Sequence, residues 1–396
     1  MNASVKNNIL RSLVSQLSSK RGDIIAANRV DLSRCPHDDI VIFDRLKVDD
    51  RKINAMIDAL ERVVGVEDQE GKLISSYERP DGLKIENRRV PFGTVLIIFE
   101  ARPDVCIEAG AIAVKAGNRI LLKGGKEARE TNRVLTNLWQ AAIAEHSREM
   151  KLVRYLDLSR DEAQKLIAGE LEHFDLVIPR GGKGLIDLVT KHSPAPVLVS
   201  GRGNNFLYVD AEANAEMALE IAADGKSRLS VCNALDKVLI NRDLPELADF
   251  VRALAERFMK LGIEIFGDGE AVNTPDAGIR PIENEALWYE EFLSPKIVFG
   301  VVDGVDEAIS RINKYSGGHS AAIVTGNDDT AREFLNRVDC AAVAHNASTR
   351  FTDGGEFGLG AEIAISTQKL HARGPLGVEH LLTNKWFVRG SGHIRG

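Results

Sequence analysis

Cysteine is scarce in this chain, and what little there is excludes two common architectures. The four cysteines of the 396 residues, Cys35, Cys106, Cys232 and Cys340, lie far apart, so no disulfide framework and no C-x-x-C zinc pattern can be drawn among them. The nine histidines show no HExxH or HxH spacing and there is no G-x-S-x-G elbow, which leaves metal-hydrolase and serine-hydrolase readings without support. Lone histidines such as His319 and His371 read as satisfied polar groups. Basic residues do not predominate: 51 Lys and Arg stand against 58 Asp and Glu, for a net charge of -7. A surface built to neutralise a phosphate backbone is therefore not expected, nor nucleic acid as a partner. No run of about 18 apolar residues occurs, and the opening MNASVKNNILRSLVSQL lacks the uninterrupted apolar core of a secretory signal. Neither membrane insertion nor secretion is expected, and a reducing cytoplasm suits four scattered thiols. With 12 Pro and 34 Gly, no repeat of 20 to 50 residues and no low-complexity linker, fibrous and disordered classes fall away as well.

What is present is the composition of a soluble globular protein, 44% apolar and 28% charged, with length for two or three domains at roughly 150 residues each. Residues 3–28 place Val5, Ile9, Leu10, Leu13, Val14 and Leu17 at helical spacing, and 50–64 repeat the pattern up to Gly65. Residues 78–92 change character: Pro80-Asp81-Gly82 is a turn signal between short alternating segments, which predicts an exposed β-hairpin. The apolar run 93–99 then predicts a strand covered on both faces. Helices and strands alternate from 105 to 178 and again from 236 to 344, which predicts two doubly wound α/β lobes. The segment 380–396 reads as strand-like and is expected to pair with the early hairpin.

Several strings could carry chemistry. Cys232 sits at a polar junction between a predicted helix, 211–227, and a predicted strand at 236. Its residue type allows either a small core residue or a nucleophile. Arg180-Gly181-Gly182-Lys183 follows a strand and opens a helix, where backbone N–H groups and two cations could face a phosphate; a solvated αβ turn is the plainer reading. Lys123 and Lys126, after another strand, could meet ribose hydroxyls or an extra phosphate, or simply water. Residues 346–360 and 366–375 are dense in small and hydrogen-bonding side chains over a length that suggests a binding surface.

Taken together, Val90-Pro91-Phe92-Gly93, Phe99 to Asp104, Gly117-Asn118, Leu122 to Glu127, Ile178 to Gly184, Cys232-Asn233, Asn346 to Gly354 and Gln368 to Pro375 resemble the γ-glutamyl phosphate reductase family of the aldehyde dehydrogenase superfamily over nearly the whole chain. The resemblance implies an α/β fold with a Rossmann-like cofactor domain (1–77 and 93–230), an α/β catalytic domain (231–365) and an oligomerisation arm made by the hairpin and the C-terminal strand (78–92 and 366–396). It implies NADPH-dependent reduction of glutamate 5-phosphate to glutamate 5-semialdehyde, the second step from glutamate to proline, through a thioester on Cys232. Asn233 and Asn346 are then candidates for the oxyanion, alongside backbone N–H groups near Cys232.

By the same resemblance Lys123, Lys126, Arg180, Gly181, Gly182, Lys183 and Glu291 bind the cofactor. Lys126 replaces an acid of NAD-preferring relatives and so favours a 2′-phosphate. Arg102, Arg350 and Arg373 are the candidates for the substrate carboxylate, with nothing in the sequence to rank them. Hydrolytic superfamily members carry a glutamate where residues 199–205 have no acid, which suits a reductase whose thioester must not meet activated water. Asp104 stands where an amide is usual, so an oxyanion role there does not carry over. A CoA-dependent acylating aldehyde dehydrogenase and a non-catalytic scaffold are the alternatives. A homo-oligomer, and a glutamate 5-kinase as a separate protein, complete the expectations.

Overall fold

The computed structural model describes residues 1–35 and 40–395, and the chain divides into two compact units. The first comprises Met1–Val199, Gly358–Ala364 and Pro375–Gly396; the second comprises Ser200–Phe357 and Ile365–Gly374.

The first unit opens with helices Ala3–Ser19, Arg21–Ser33, Ile40–Leu46 and Asp50–Gly65. Asn2 and Asp49 cap two of them, accepting the N–H groups of Val5 at 2.9 Å and Lys52 at 3.0 Å. The single helix expected over 3–28 is interrupted at Lys20, where Ser19 and Gly22 flank the break with poor helix propensity. Strands Val153–Tyr155, Arg119–Gly124, Thr94–Phe99 and Leu176–Arg180 then form a parallel sheet in that spatial order. One face of it, with Leu96, Ile98 and Leu121, packs on Leu166, Phe174 and Val189, while Val95, Ile97 and Phe99 are also buried. That is the two-sided burial that a continuous apolar run requires.

The helix Val105–Lys115 approaches its neighbour Arg129–His146 closely at Gly110, where a Cβ would stand 2.8 Å from the Trp139 ring. Asn118 is buried; it accepts the Gly93 N–H at 2.9 Å and donates to the Leu381 carbonyl at 2.8 Å. The Gly117-Asn118 turn therefore ties the start of strand Thr94–Phe99 to the returning C-terminal segment. That segment ends in strand Leu382–Arg389, which pairs antiparallel with Lys84–Pro91 from Leu382↔Pro91 to Arg389↔Lys84, with Leu73–Glu78 on the other side. The pairing expected from pattern alone is thus present.

The second unit is built on a seven-stranded, wholly parallel sheet, ordered Arg280–Pro281, Glu264–Gly267, Lys296–Val302, Leu235–Asn241, Asn205–Val209, Ser320–Val324, Ala342–His345. Alternate residues feed two cores. Leu207, Val209, Val238 and Ile240 face the helices Ala215–Gly225 and Leu247–Lys260, whereas Phe206, Tyr208, Leu239 and Ile323 face Val305–Tyr315 and Asp328–Arg337. The period of two, combined with helices on both sides, is the doubly wound arrangement. The units part at Val199/Ser200 rather than at 230/231. Asn205–Val209, not recognised as a strand in the sequence, is an interior strand hydrogen-bonded to Leu235–Asn241 and Ser320–Val324, so it cannot leave the second sheet.

Candidate active site

Cys232 lies at the entrance to strand Leu235–Asn241 and is half-buried, whereas Cys35, Cys106 and Cys340 are buried. Two neighbours fix its backbone. The Asn205 side-chain amide donates to the Cys232 carbonyl at 2.7 Å, to Ala234 O at 2.7 Å and to Gly203 O at 2.8 Å. Gly203 itself presses on the same peptide: a Cβ there would stand 1.9 Å from Cys232 O and 2.8 Å from its Cα. Only glycine fits such an approach. Both residues belong to the stretch 199–205, which the sequence marked for its missing acid but not for holding the cysteine. Their signal was a Gly-Asn-Asn string without a turn to explain it.

Asn233 is 6% exposed. Its amide donates to Arg350 O at 2.9 Å and Thr352 O at 3.1 Å, while its Oδ1 accepts from the Arg350 guanidinium. Its own carbonyl accepts from Thr349 Oγ1 at 2.9 Å. With both amide hydrogens committed to carbonyls, Asn233 has none left for an oxyanion; it anchors the 349–352 turn beside Cys232. Asn346 holds a left-handed backbone at φ 52° and bridges the end of strand Ser320–Val324, accepting from Thr325 N at 3.1 Å and donating to Thr325 O at 3.0 Å. It is exposed and retains one amide hydrogen.

Arg350 is half-buried, and burial pushes its guanidinium down. Arg228 adds repulsion, while Asp224, Asp353 and Cys232 attract it. Arg228 was not among the residues singled out by sequence, having only its charge to mark it. Arg373 is engaged elsewhere, donating to Asp339 Oδ1 at 2.9 Å and Asp339 O at 3.0 Å. Glu291 is half-buried on the segment before strand Lys296–Val302.

The remaining candidates are in the first unit, at the carboxyl ends of its parallel strands, where open α/β sheets bind ligands. Gly181 and Gly182 precede helix Lys183–His192. The Gly182 N–H donates to a Glu100 carboxylate oxygen at 3.0 Å, and Lys183 pairs with Asp187, so one amide of the expected phosphate cradle is already taken by an acid. A Cβ on Gly182 or Gly184 would meet nothing within 4 Å, which leaves open space over the helix start. After strand Arg119–Gly124, Lys123 is half-buried and donates to Gly124 O at 2.7 Å, with burial pushing its ammonium down. Lys126 is exposed. Between these loops Glu127 accepts the N–H of Ala101, which is held at φ 45°, at 2.7 Å.

Arg102 and Arg180 flank Glu108 in the first turn of Val105–Lys115. Burial raises the Glu108 carboxyl to about 8, with Asp104 and Glu362 adding to the rise and the two arginines opposing it. Asp104 lies 3.6 Å from Lys52 Nζ. This acid cluster was not foreseen from sequence beyond Asp104, because Glu362 joins it only through the fold.

Residues 6–276 and 279–361 match the model of the aldehyde dehydrogenase family. A gamma-glutamyl phosphate reductase of Clostridium beijerinckii is 42% identical, the match covering 98% of this chain and 94% of the relative, and one of Halothermothrix orenii is 39% identical over 99% and 93%. The crystal structure of a gamma-glutamyl phosphate reductase from Thermotoga maritima superposes with a TM-score of 0.91 at 38% identity, covering 100% of this chain and 95% of that one. An acetylating aldehyde dehydrogenase from Geobacillus thermoglucosidasius, at 18% identity and a TM-score of 0.74 over 100% and 94%, shares the fold.

Proposed function

The chain belongs to the aldehyde dehydrogenase family, and from that premise we propose that it reduces γ-glutamyl phosphate to glutamate 5-semialdehyde and phosphate in proline biosynthesis, with NADPH as reductant and Cys232 as nucleophile. The full-length likeness to gamma-glutamyl phosphate reductases carries the reading. The clamped, half-buried cysteine supports the thioester route.

Cys232 Sγ, as thiolate, attacks the γ-carbonyl carbon; the carbonyl electrons move to oxygen, return, and expel phosphate with the C–O bond pair, leaving a thioester. NADPH, when bound, supplies the hydride for that carbonyl carbon. The resulting thiohemiacetal oxyanion re-forms its C=O as the C–S bond breaks, which releases the aldehyde and returns the thiolate. The attraction between Arg350 and Cys232 is reciprocal, so the guanidinium favours the anionic sulfur and, with Arg228, an anionic substrate beside it. Arg350 is our choice for the substrate among the second unit's arginines, because Asp339 holds Arg373. Arg102 stays a candidate for the substrate through the family resemblance alone; in the first unit its charge acts on Glu108. Since the Asn233 amide is committed, oxyanion donors are assigned to main-chain N–H groups next to Cys232 and to the remaining hydrogen of Asn346.

The residues fit a nicotinamide dinucleotide in one respect: open space over Gly182 and Gly184 beside a helix N-terminus suits a pyrophosphate. Gly181, Gly182, Lys183 and Arg180 would hold it there, provided the Glu100 carboxylate gives way at Gly182. Lys123 and exposed Lys126 would meet the ribose and its 2′-phosphate, and Glu291 the nicotinamide ribose.

Among the described residues no helix is long and apolar enough to cross a membrane. Separately, the four widely spaced thiols suit a reducing cytoplasm, where we place the enzyme. The three-stranded arm exposes Leu73, Ile74, Tyr77, Trp386 and Val388 at 46–60%, and this supports a homo-oligomer joined through the arm. A glutamate 5-kinase, as a separate protein, would supply the acyl phosphate. The test runs the reaction in reverse: phosphate-dependent reduction of NADP⁺ by glutamate 5-semialdehyde, native against Cys232→Ser. Activity that needs phosphate and is lost in the variant is expected. Activity dependent on CoA instead of phosphate, or surviving without the thiol, would overturn the reading.

A further inference from the structure

Glu291 stands between two peptide groups that are gripped by consecutive residues of one strand. Asp236 Oδ2 accepts the Phe292 N–H at 2.9 Å, and Lys237 Nζ donates to the Glu290 carbonyl at 2.9 Å. Successive side chains on a regular strand point to opposite faces. Here the register with the neighbouring strand slips, Asn205 facing Leu235 but Phe206 facing Lys237, so Asp236 occupies a bulge. A bulge re-aims a side chain, and both residues reach the same loop. Lys226 Nζ, 2.6 Å from Asp236 Oδ1, braces the acid from behind.

All three charges are buried, at 2% exposure or less, and the Lys237 ammonium lies 3.8 Å from the centroid of the Phe292 ring. Burial pushes Lys237 down to about 7, against the attraction of Asp236, Glu290 and Glu291 and with repulsion from Lys226. Taking three charged groups out of water is costly, and replacing such buried pairs by apolar residues of similar volume is often neutral or stabilising. What the polar cluster supplies is geometry, since the strand it starts from emerges directly from the Cys232 junction.

We propose that Asp236 and Lys237, braced by Lys226, are positioning residues that hold Glu291 in a fixed place relative to Cys232 by clamping the peptide groups on either side of it. The proposal rests on the reading that Glu291 contacts the cofactor ribose. It predicts that losing the clamp weakens cofactor binding while the semialdehyde and phosphate sites remain as they were.

The experiment measures NADPH dissociation constants by quenching of intrinsic tryptophan fluorescence, and KM for each reactant, in Lys237→Met, Asp236→Asn, Glu291→Gln and the double variant Lys237→Met/Glu291→Gln. Lys237→Met keeps the volume of the side chain, and Asp236→Asn keeps its shape should the first variant fold poorly. The expected result is a rise of about tenfold in the NADPH constant for either clamp variant, KM for semialdehyde and phosphate within about twofold, and a double variant no weaker than Glu291→Gln alone. Losses that multiply in the double variant, or an unchanged constant in both clamp variants while Glu291→Gln weakens binding, would overturn the clamp alone. An unchanged constant in Glu291→Gln would overturn the ribose assignment and the clamp with it.

Discussion

Gly203→Ala offers the sharpest test of how the cysteine is held. The added Cβ would stand 1.9 Å from Cys232 O, 2.6 Å from its carbonyl carbon and 2.8 Å from its Cα, short of ordinary contact at the oxygen by about 1.5 Å. No flexible side-chain end is available to yield, because the three nearest atoms are all Cys232 backbone. The peptide cannot simply swing away, since Asn205 holds the Cys232 and Ala234 carbonyls at 2.7 Å each. A displacement on the order of 1 Å therefore reaches Sγ, and misplacement of that size costs about a hundredfold in rate, or about 2.7 kcal/mol of transition-state stabilisation. The cost in folding stability is about 1–3 kcal/mol. The assay is kcat for phosphate-dependent NADP⁺ reduction on protein whose circular dichroism shows it folded. As a control, Gly22→Ala, inside helix Arg21–Ser33 with nothing near the new methyl, should raise stability by about 0.5–1 kcal/mol and leave kcat unchanged. A Gly203→Ala enzyme within about threefold of native kcat would refute the argument that this glycine sets the nucleophile's position.

Other outcomes follow from burial and charge. Iodoacetamide at pH 8 should alkylate Cys232 first and abolish activity at one label per chain by mass spectrometry, since Cys106 and Cys340 are buried with thiols pushed up, Cys340 to about 11, and Cys35 is buried too; a label on another cysteine that kills activity would contradict the assignment. Glu108 has a folded pKa near 8 against 4.5 unfolded, so the native state binds more protons between those values. Its contribution is fully present below pH 4.5 and is lost as pH rises through 8, with a slope up to about 1.4 kcal/mol per pH unit. Thermal melts from pH 5 to 9 should therefore fall less steeply for Glu108→Gln than for the native protein. Trp386→Asp, on the exposed face of the arm at 58% exposure, should shift the protein to a smaller species in sedimentation equilibrium without unfolding it; an unchanged mass would show that the arm is not the interface.

Local pattern determined most of the elements. The apolar run at 93–99 read as a strand covered on both faces, because each residue of such a strand meets a neighbour on one side or the other, and Thr94–Phe99 is that strand. The Pro80-Asp81-Gly82 turn marked the hairpin, since Gly82 takes φ 85° at no steric cost. The sequence also nominated Cys232, Asn346 and the glycine-rich loops, through resemblance more than through spacing.

Tertiary structure decided what those residues do. Asn205–Val209 is a central strand, yet its polar approach, Gly201 to Asn205, hid it from the pattern. Asn233 looked like an oxyanion donor until Arg350 O and Thr352 O, more than a hundred residues away in sequence, claimed its amide hydrogens. Gly182 read as one amide of a phosphate cradle, and only the fold places the Glu100 carboxylate on its N–H. Hydrogen bonds and burial belong to pairs of residues that only the folded chain brings together, whereas propensity and periodicity belong to neighbours along it. For that reason the chain announced its elements and its cysteine, and the fold alone supplied the partners that aim them.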